Sequence, residues 1–290
     1  MSASFLDALN SGRVLLMDGA MGTELQRQRG AGNECFEAWN LTRPEIVSGV
    51  HNAYVQAGAD ILLTNTFQAN PASVARHGLD DRPHDIAEAA VGLARAACKP
   101  GGYVLLSIGP ASGDISGMET LFGAAANAAG LLLETFSDLD LAAKLIAAYR
   151  AWPGDHVPVL LSFTFQKSPR GLQTFAGVSA AECAAAAERL RVAALGVNCG
   201  RDIGRDELLQ ILHDYRAVTP LPLMVRPNAG TPRLVDDQIR YPRSPQEMAS
   251  WLPSLLDSGV RLVGGCCGTT PQHIAAFRAA LDRLPAIRIW

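Results

Sequence analysis

The sequence predicts an α/β protein, a single (β/α)8 TIM barrel over residues 1–290 with a shortened third β/α unit. Short apolar runs that end in small polar residues alternate eight times with segments typical of amphipathic helices. With 290 residues, 48% of them hydrophobic, the chain is long enough to bury the core of such a barrel. No linker, repeat or block of charge divides it, so we expect one domain.

The first half of the chain supplies four predicted strands. They are apolar runs of three to six residues, at 14–17, 61–63, 103–108 and 131–133. Residues 18–23 are predicted to form a glycine-rich loop, and apolar periodicity predicts helices at 44–57, 86–97 and 139–150. The third unit is irregular, because only 20 residues separate Pro110 from Leu131. That space predicts a short helix near 119–129.

The second half repeats this alternation. Four further strands are predicted at 157–161, 193–197, 221–225 and 260–263. The helices expected after them span 180–191, 206–216, 245–256 and 271–284. Thr270 and Pro271 mark the start of the last helix, because threonine is a good N-cap and proline fits the first helical position.

Polar residues and cysteines stand just beyond the carboxyl ends of these predicted strands. They are Asp18, Asn65, Glu134, Ser162, Cys199, Asn228, Cys266 and Cys267. In a closed parallel barrel all these strand ends surround one mouth, which is where the active sites of such barrels lie. The pattern therefore predicts that residues far apart in the sequence are neighbours around one opening.

Three of these residues are cysteines in glycine-rich settings. Cys266 and Cys267 lie within 264–268, and Cys199 precedes Gly200. Glycines allow the backbone to bend until neighbouring thiolates converge on one soft metal ion. Three thiolates leave one position of a tetrahedral Zn²⁺ open, and an open position is typical of catalytic zinc.

The composition argues against several other classes of protein. The net charge of −3 and the 6% content of aromatic residues do not indicate a nucleic-acid-binding surface. No apolar stretch approaches the roughly 20 residues of a membrane span, and residues 1–10 do not resemble a signal peptide. The six cysteines lie in a large chain that does not need disulfide bonds, so we expect a cytoplasmic location.

Six stretches of the sequence together resemble a known family. They are 18–25, 57–67, 133–135, 196–200, 227–230 and 264–269. Their order and content are similar to those of the homocysteine S-methyltransferase family, from near residue 14 to near residue 283. This family includes the homocysteine-binding module of cobalamin-dependent methionine synthase and the betaine– and S-methylmethionine–homocysteine methyltransferases. Asn-Cys-Gly followed by Gly-Gly-Cys-Cys-Gly is the most specific part of the match.

The resemblance implies a zinc-dependent methyltransferase that makes methionine from homocysteine and a small methyl donor. Cys199, Cys266 and Cys267 would hold Zn²⁺, and the homocysteine sulfur would take the open position. The other substrate-binding residues implied are Asp18 and Glu134 for the ammonium group, the amides near Gly19 and the Thr66 hydroxyl for the carboxylate, and Asn198. Family members differ mainly in their methyl donor, and these stretches do not identify it.

Alternative interpretations stay open at this point. The chain could be a methyl-relay component that binds homocysteine and receives its methyl group from a separate corrinoid protein. It could also be a non-catalytic barrel with a structural zinc. Cys266 and Cys267 could be buried core residues or a vicinal disulfide, and Asp18 and Glu134 could cap helices or form ion pairs.

Overall fold

The computed structural model describes residues 4–29, 34–79, 81–111, 115–235 and 238–284. Within these ranges, eight parallel strands form one sheet, as predicted. In chain order the strands β1 to β8 are Leu15–Leu16, Ile61–Leu63, Tyr103–Ile108, Gly130–Phe136, Val159–Phe163, Ala194–Asn198, Leu223–Arg226 and Val260–Val263. The prediction of one domain over 1–290 extends beyond the described residues and stays a prediction.

The sheet closes into a barrel. Neighbouring strands are hydrogen-bonded in the order β1-β8-β7-β6-β5-β4-β3-β2. A parallel bridge between Met17 and Ile61 then joins β1 to β2, and the Asp18 amide donates to the Ile61 carbonyl at 3.0 Å. All eight carboxyl ends therefore face the same mouth, which is where the sequence placed its unusual residues.

Helices surround the barrel between successive strands. In chain order α1 to α13 are Phe5–Asn10, Met21–Arg29, Trp39–Thr42, Pro44–Gln56, Pro71–Ala75, Pro83–Ala97, Glu119–Ala125, Leu139–Ala151, Ala180–Arg189, Arg205–Arg216, Pro245–Ala249, Leu252–Asp257 and Pro271–Leu281. A 3-10 turn, Phe36–Ala38, precedes α3. The helix of the third unit, α7, has seven residues, in agreement with the expected shortening. None of the helices in the described ranges has the length and apolar character needed to cross a membrane.

The barrel interior forms a hydrophobic cluster separate from the one between barrel and helices. It takes alternate residues from the strands, with β1 contributing Leu15, β3 Leu105 and β7 Met224. The short helix α1 belongs to the same cluster through its buried residues Phe5, Ala8 and Leu9. The Phe5 ring lies 5.3 Å from that of Tyr103, the first residue of β3. Helix α1 therefore closes the end of the barrel opposite the mouth.

Several elements differ from the prediction. Residues 18–23 are not a loop throughout, since α2 begins at Met21. The single helix expected at 245–256 is divided into α11 and α12, because Pro253 has no N–H and clashes with the carbonyl four residues earlier. Within the described ranges, two antiparallel hairpins that were not predicted follow β5 and β7, with strands Phe165–Ser168, Gly171–Thr174, Arg233–Val235 and Gln238–Arg240.

Strand β4 is longer than the predicted run at 131–133, and it includes Glu134. The register with β5 shifts between Leu133 and Phe136, where Thr135 has a φ of 66°. A bulge of this kind bends a strand and redirects a side chain. Glu134 therefore lies on the strand itself, just before the bulge, and not beyond the end of the strand as expected.

Candidate metal centre

A cavity of about 560 Å³ opens at the mouth of the barrel. This volume is in the range of small-molecule sites, roughly 300–1,000 Å³. One part of its wall contains Cys199, Cys266 and Cys267, and another contains residues of the segment between α2 and α3, such as Phe36 and Glu37. The sequence-predicted cysteines thus face a space large enough for small substrates.

The three cysteine sulfur atoms lie together, as predicted. All of them are within 4.8 Å of one another, and the Sγ atoms of Cys199 and Cys267 are 3.5 Å apart. Sulfur ligands of a tetrahedral zinc, each about 2.3 Å from the metal, are about 3.8 Å apart. The donor set therefore fits one such ion with a fourth position free. All three are free thiols, with no disulfide bond between Cys266 and Cys267.

The ionisation of these thiols depends on a shared proton. Hydrogen bonds from the Cys266 and Cys267 thiols lower the pKa of Cys199 to about 3. The contact with Cys199 raises the pKa of Cys266 to about 11, and the pKa of Cys267 is raised for the same reason. The protein alone thus stabilises about one thiolate in the cluster. A divalent cation is the group that would allow all three sulfurs to be ionised, because coordinated thiols lose their proton.

The turn at Cys199 directs its sulfur towards the other two. Cys199 has a φ of 58°, a left-handed conformation that is uncommon outside glycine, and Gly200 follows with a φ of 99°. The Cys199 amide donates to the carbonyl of Arg226 at 3.2 Å, which links the turn to the neighbouring strand β7. Backbone strain of this kind is maintained only where the surrounding structure imposes it.

Backbone hydrogen bonds between the ends of β7 and β8 position the adjacent cysteines. The Cys266 amide donates to the Pro227 carbonyl at 2.9 Å, and the Ala229 amide donates to the Cys267 carbonyl at 2.9 Å. Gly268 follows with a φ of 79°, and a Cβ at this position would overlap the ring of Tyr241. The close packing of Tyr241 and the left-handed turn both require glycine here.

Asn198 lies beneath the cysteines and connects two strands. Its Oδ1 accepts from the Thr135 amide at 3.0 Å and from the Ser162 hydroxyl at 2.5 Å. Its Nδ2 donates to the Thr135 hydroxyl at 2.7 Å and lies 3.8 Å from the Sγ of Cys266. The side chain is buried and does not line the cavity. This geometry makes Asn198 a support for the sulfur of Cys266, and substrate binding by Asn198 stays a prediction.

The two predicted carboxylates lie close together, with a third charged group between them. Arg226 is 3% exposed, and its Nη1 donates to Oε2 of Glu134 while its Nη2 is 3.6 Å from Oδ1 of Asp18. Oε1 of Glu134 accepts from the Ser107 hydroxyl at 2.5 Å, and Oδ2 of Asp18 accepts from the Leu63 amide at 2.8 Å. Glu134 and Arg226 line the cavity, and Asp18 does not.

Burial changes the ionisation of both carboxyl groups. It raises the pKa of Asp18 to about 7, although the nearby Arg226 opposes the shift. Burial also raises the pKa of Glu134, with Arg226 again opposing the change. Arginine stays protonated in proteins. Arg226 therefore keeps its positive charge between two carboxyl groups whose neutral forms are favoured by burial.

The residues predicted to contact a substrate carboxylate have different surroundings. Gly19 lines the cavity together with the first residues of α2, whose amino-terminal N–H groups favour anions. Thr66 is fully buried and does not line the cavity. Its hydroxyl donates to the Ser107 carbonyl at 2.6 Å and is 2.6 Å from the Thr64 hydroxyl. Carboxylate binding by Thr66 stays a prediction that this geometry does not favour.

Sequence reasoning missed Arg226 and Ser107 as parts of the site. Arg226 ends β7 directly after an apolar run, at a position equivalent to those of the polar residues that were selected. That placement was a usable signal. Ser107 gave none, because a small residue inside the apolar strand β3 does not stand out.

Comparison with known proteins gives consistent results. A family model described as homocysteine S-methyltransferase matches residues 15–281. The methionine synthase of Mycobacterium tuberculosis is 34% identical over 96% of this chain, and that of Mycobacterium leprae is 33% identical over 93%. These matches cover 25% and 24% of the two relatives, so the chain spans about a quarter of their length.

A solved structure extends the similarity to three dimensions. The homocysteine methyltransferase MmuM from Escherichia coli, in its metallated form, matches with a TM-score of 0.74 and 28% sequence identity. The match covers 93% of this chain and 97% of that protein.

Proposed function

The chain belongs to the homocysteine S-methyltransferase family, and from this premise we propose that it binds homocysteine through its sulfur at a zinc ion and methylates it to methionine. The observation that carries this proposal is the group of three sulfur atoms at the wall of the mouth cavity. Three protein ligands leave a position for the substrate sulfur, and the cavity provides space for homocysteine beside a methyl donor.

Cys199, Cys266 and Cys267 would hold the Zn²⁺. When bound, this ion would supply a way to deprotonate the substrate thiol. In the absence of a metal, only a few per cent of such a thiol is thiolate at neutral pH. Three cysteinates bring enough negative charge to keep a coordinated sulfur nucleophilic. The protein would not need to supply a general base, because coordination to the ion would already remove the proton. The contact between Asn198 and Cys266 fixes the direction of one ligand.

The remaining residues of the mouth would orient the amino-acid part of the substrate. The amides near Gly19, at the start of α2, receive the carboxylate. Of the two carboxyl groups assigned to the ammonium group, Glu134 lines the cavity and is the one that the substrate can contact. The sulfur lone pair then forms a bond to the donor methyl carbon. The bond between that carbon and the rest of the donor breaks, and its electron pair stays on the donor. This step requires the carbon to lie about 3–3.5 Å from sulfur.

A methyl-relay role is the second candidate, and the similarity to two methionine synthases supports it. The two mycobacterial methionine synthases are about four times longer than the segment that matches. A separate corrinoid protein would then dock at the mouth and supply the methyl group. In both candidates the homocysteine site is the same.

A donor panel on the zinc-loaded chain tests the proposal and separates the two candidates. We expect methionine formation with betaine, S-methylmethionine, S-adenosylmethionine or a methylcorrinoid protein, detected by mass spectrometry. Activity with a small donor alone would disfavour the relay. Undiminished methyl transfer by a verified zinc-free sample would refute zinc dependence, and X-ray absorption showing four protein ligands, unchanged by homocysteine, would indicate a structural zinc.

A further inference from the structure

Arg226 places a buried positive charge where the substrate ammonium group is expected. It is the last residue of β7, is 3% exposed and lines the mouth cavity. Its guanidinium forms ion pairs with Glu134 and Asp18. The two carboxylates assigned to the substrate cation therefore already share a cation that belongs to the protein.

Glu134 has little capacity left for an incoming ammonium group. One of its oxygens accepts from the Ser107 hydroxyl and the other from Nη1 of Arg226. Asp18 does not line the cavity, and its Oδ2 accepts from the Leu63 amide. Its Oδ1 has no hydrogen-bond partner among the described residues and faces Nη2 of Arg226 at 3.6 Å.

An ammonium group that contacts Glu134 would also lie close to the guanidinium of Arg226. In a buried site the repulsion between like charges is screened much less than in water. The attraction to Glu134 and the repulsion from Arg226 then act over similar distances and largely cancel. A thiol that has no ammonium group loses little binding free energy by comparison with homocysteine, because Glu134 keeps its hydrogen bonds to Ser107 and Arg226.

We propose that Arg226 is a specificity-determining residue, which removes most of the preference for an α-ammonium group on the thiol substrate. The site then binds mercapto carboxylic acids without an amino group as well as homocysteine. This inference rests on the proposed function, since it concerns the thiol that binds at the metal centre. The structural basis is the ion pairing of Arg226 with both Glu134 and Asp18.

Binding of two thiols to the zinc-loaded full chain tests this directly. L-Homocysteine and 4-mercaptobutanoate differ only in the α-ammonium group, and isothermal titration calorimetry gives a Kd for each. We expect the two Kd values of the wild-type chain to differ by less than about tenfold. In Arg226→Gln the preference for homocysteine should increase by about tenfold or more, because a charge-assisted hydrogen bond to Glu134 becomes available.

Two further variants keep the test valid if Arg226→Gln folds poorly. Asp18→Asn combined with Arg226→Gln retains the summed formal charge of −1 over residues 18, 134 and 226, and it should show the same increased preference. Arg216→Gln is the matched control, because this exposed arginine donates to the Thr219, Leu221 and Gly259 carbonyls at the opposite end of the barrel. Its Kd ratio should equal that of the wild type.

The outcomes separate this inference from the proposed function. A wild-type preference for homocysteine above about a hundredfold, unchanged by Arg226→Gln, would overturn the role of Arg226 while leaving homocysteine as the substrate. If neither thiol binds to chain that contains zinc, the proposed function fails and the inference fails with it.

Discussion

Cys199 adopts a left-handed backbone conformation at the point where its sulfur must face two others. With a φ of 58°, it holds Sγ 3.5 Å from the sulfur of Cys267. Cys266 is supported from below by the amide of Asn198. At the residue scale, the site is thus a set of side chains whose directions are fixed by their immediate neighbours. These contacts determine whether three sulfurs can share one ion.

Replacing any one of these cysteines should remove the metal. We expect Cys199→Ala, Cys266→Ala and Cys267→Ala each to lose stoichiometric zinc and to lower methyl transfer by at least about a hundredfold, because two sulfurs are one fewer than the three protein ligands of a catalytic zinc site. Inductively coupled plasma mass spectrometry measures the zinc content. Cys98→Ala is the matched control, since Cys98 is a half-buried free thiol outside the cluster, and it should keep both zinc and activity.

Protonation of Asp18 should make the stability of the metal-free protein depend on pH. Burial raises its pKa from 3.8 to about 7, so between these values the folded state holds a proton that the unfolded state has lost. The contribution of Asp18 to the free energy of unfolding is therefore fully present below pH 4. It is lost as the pH rises towards 7, and the loss amounts to at most roughly 4 kcal/mol.

Urea unfolding of the metal-free wild type and of Asp18→Asn across this pH range measures the effect. The asparagine Oδ1 can still accept from the Leu63 amide, which makes the substitution nearly isosteric. The variant should lose less stability than the wild type as pH rises from 4 to 7. Equal slopes for the two proteins would show that Asp18 titrates near its ordinary pKa in the folded state.

At the scale of elements, the segments that follow β6, β7 and β8 build the centre. The loop after β8 is tied to the end of β7 by hydrogen bonds at Cys266 and Cys267. The loop after β6 is tied to β7 through the Cys199 amide and the Arg226 carbonyl. A change in one loop is therefore expected to move the sulfurs carried by both.

Gly268→Ala should distort the loop after β8 and weaken zinc binding. The new Cβ would overlap the Tyr241 ring and would also occupy a left-handed turn at φ 79°. The turn alone costs about 1–2 kcal/mol, and the overlap adds to it. We expect a lower melting temperature and a zinc affinity reduced by about tenfold or more, measured by chelator competition.

Gly177→Ala separates backbone strain from steric overlap. Gly177 has a similar φ of 83°, and a Cβ there would meet nothing within 4 Å. This control should lower the melting temperature but leave zinc affinity unchanged. If both variants bind zinc like the wild type, the packing of Tyr241 against Gly268 does not position the cysteines.

At the scale of the whole molecule, the barrel has one closed end and one open end. Helix α1 closes the amino-terminal end by packing Phe5, Ala8 and Leu9 into the interior cluster. The mouth at the other end contains the cavity and the cysteines. Stability and chemistry are thus separated along the barrel axis, as is usual for this fold.

Leu9→Ala should therefore destabilise the protein without changing the proposed zinc site. Leu9 is 2% exposed, and its truncation leaves a cavity that costs about 2–5 kcal/mol. Leu6→Ala on the same helix is the control, because Leu6 is 41% exposed and its loss should change stability by less than about 0.5 kcal/mol. Urea unfolding and zinc analysis check both effects; zinc loss in folded Leu9→Ala would contradict the separation.

The sequence by itself determined the order of the eight strands and the identity of the three clustered cysteines. Both depend on local patterns, since apolar runs mark strands and strand ends in a parallel barrel must meet at one mouth. It did not reveal α1, whose six residues give too short a pattern to identify a helix. The division of 245–256 at Pro253 was also missed, although proline is a local signal.

Only the tertiary structure decided which polar groups are available to a ligand. Thr66 and Glu134 were both implied by the family resemblance, yet the Thr66 hydroxyl is turned towards the Ser107 carbonyl and Glu134 faces the cavity beside Arg226. The physical reason is that hydrogen-bond partners and charge compensation come from other strands. A side chain's neighbours along the chain specify its strand end, but its neighbours in space specify whether it is free to bind.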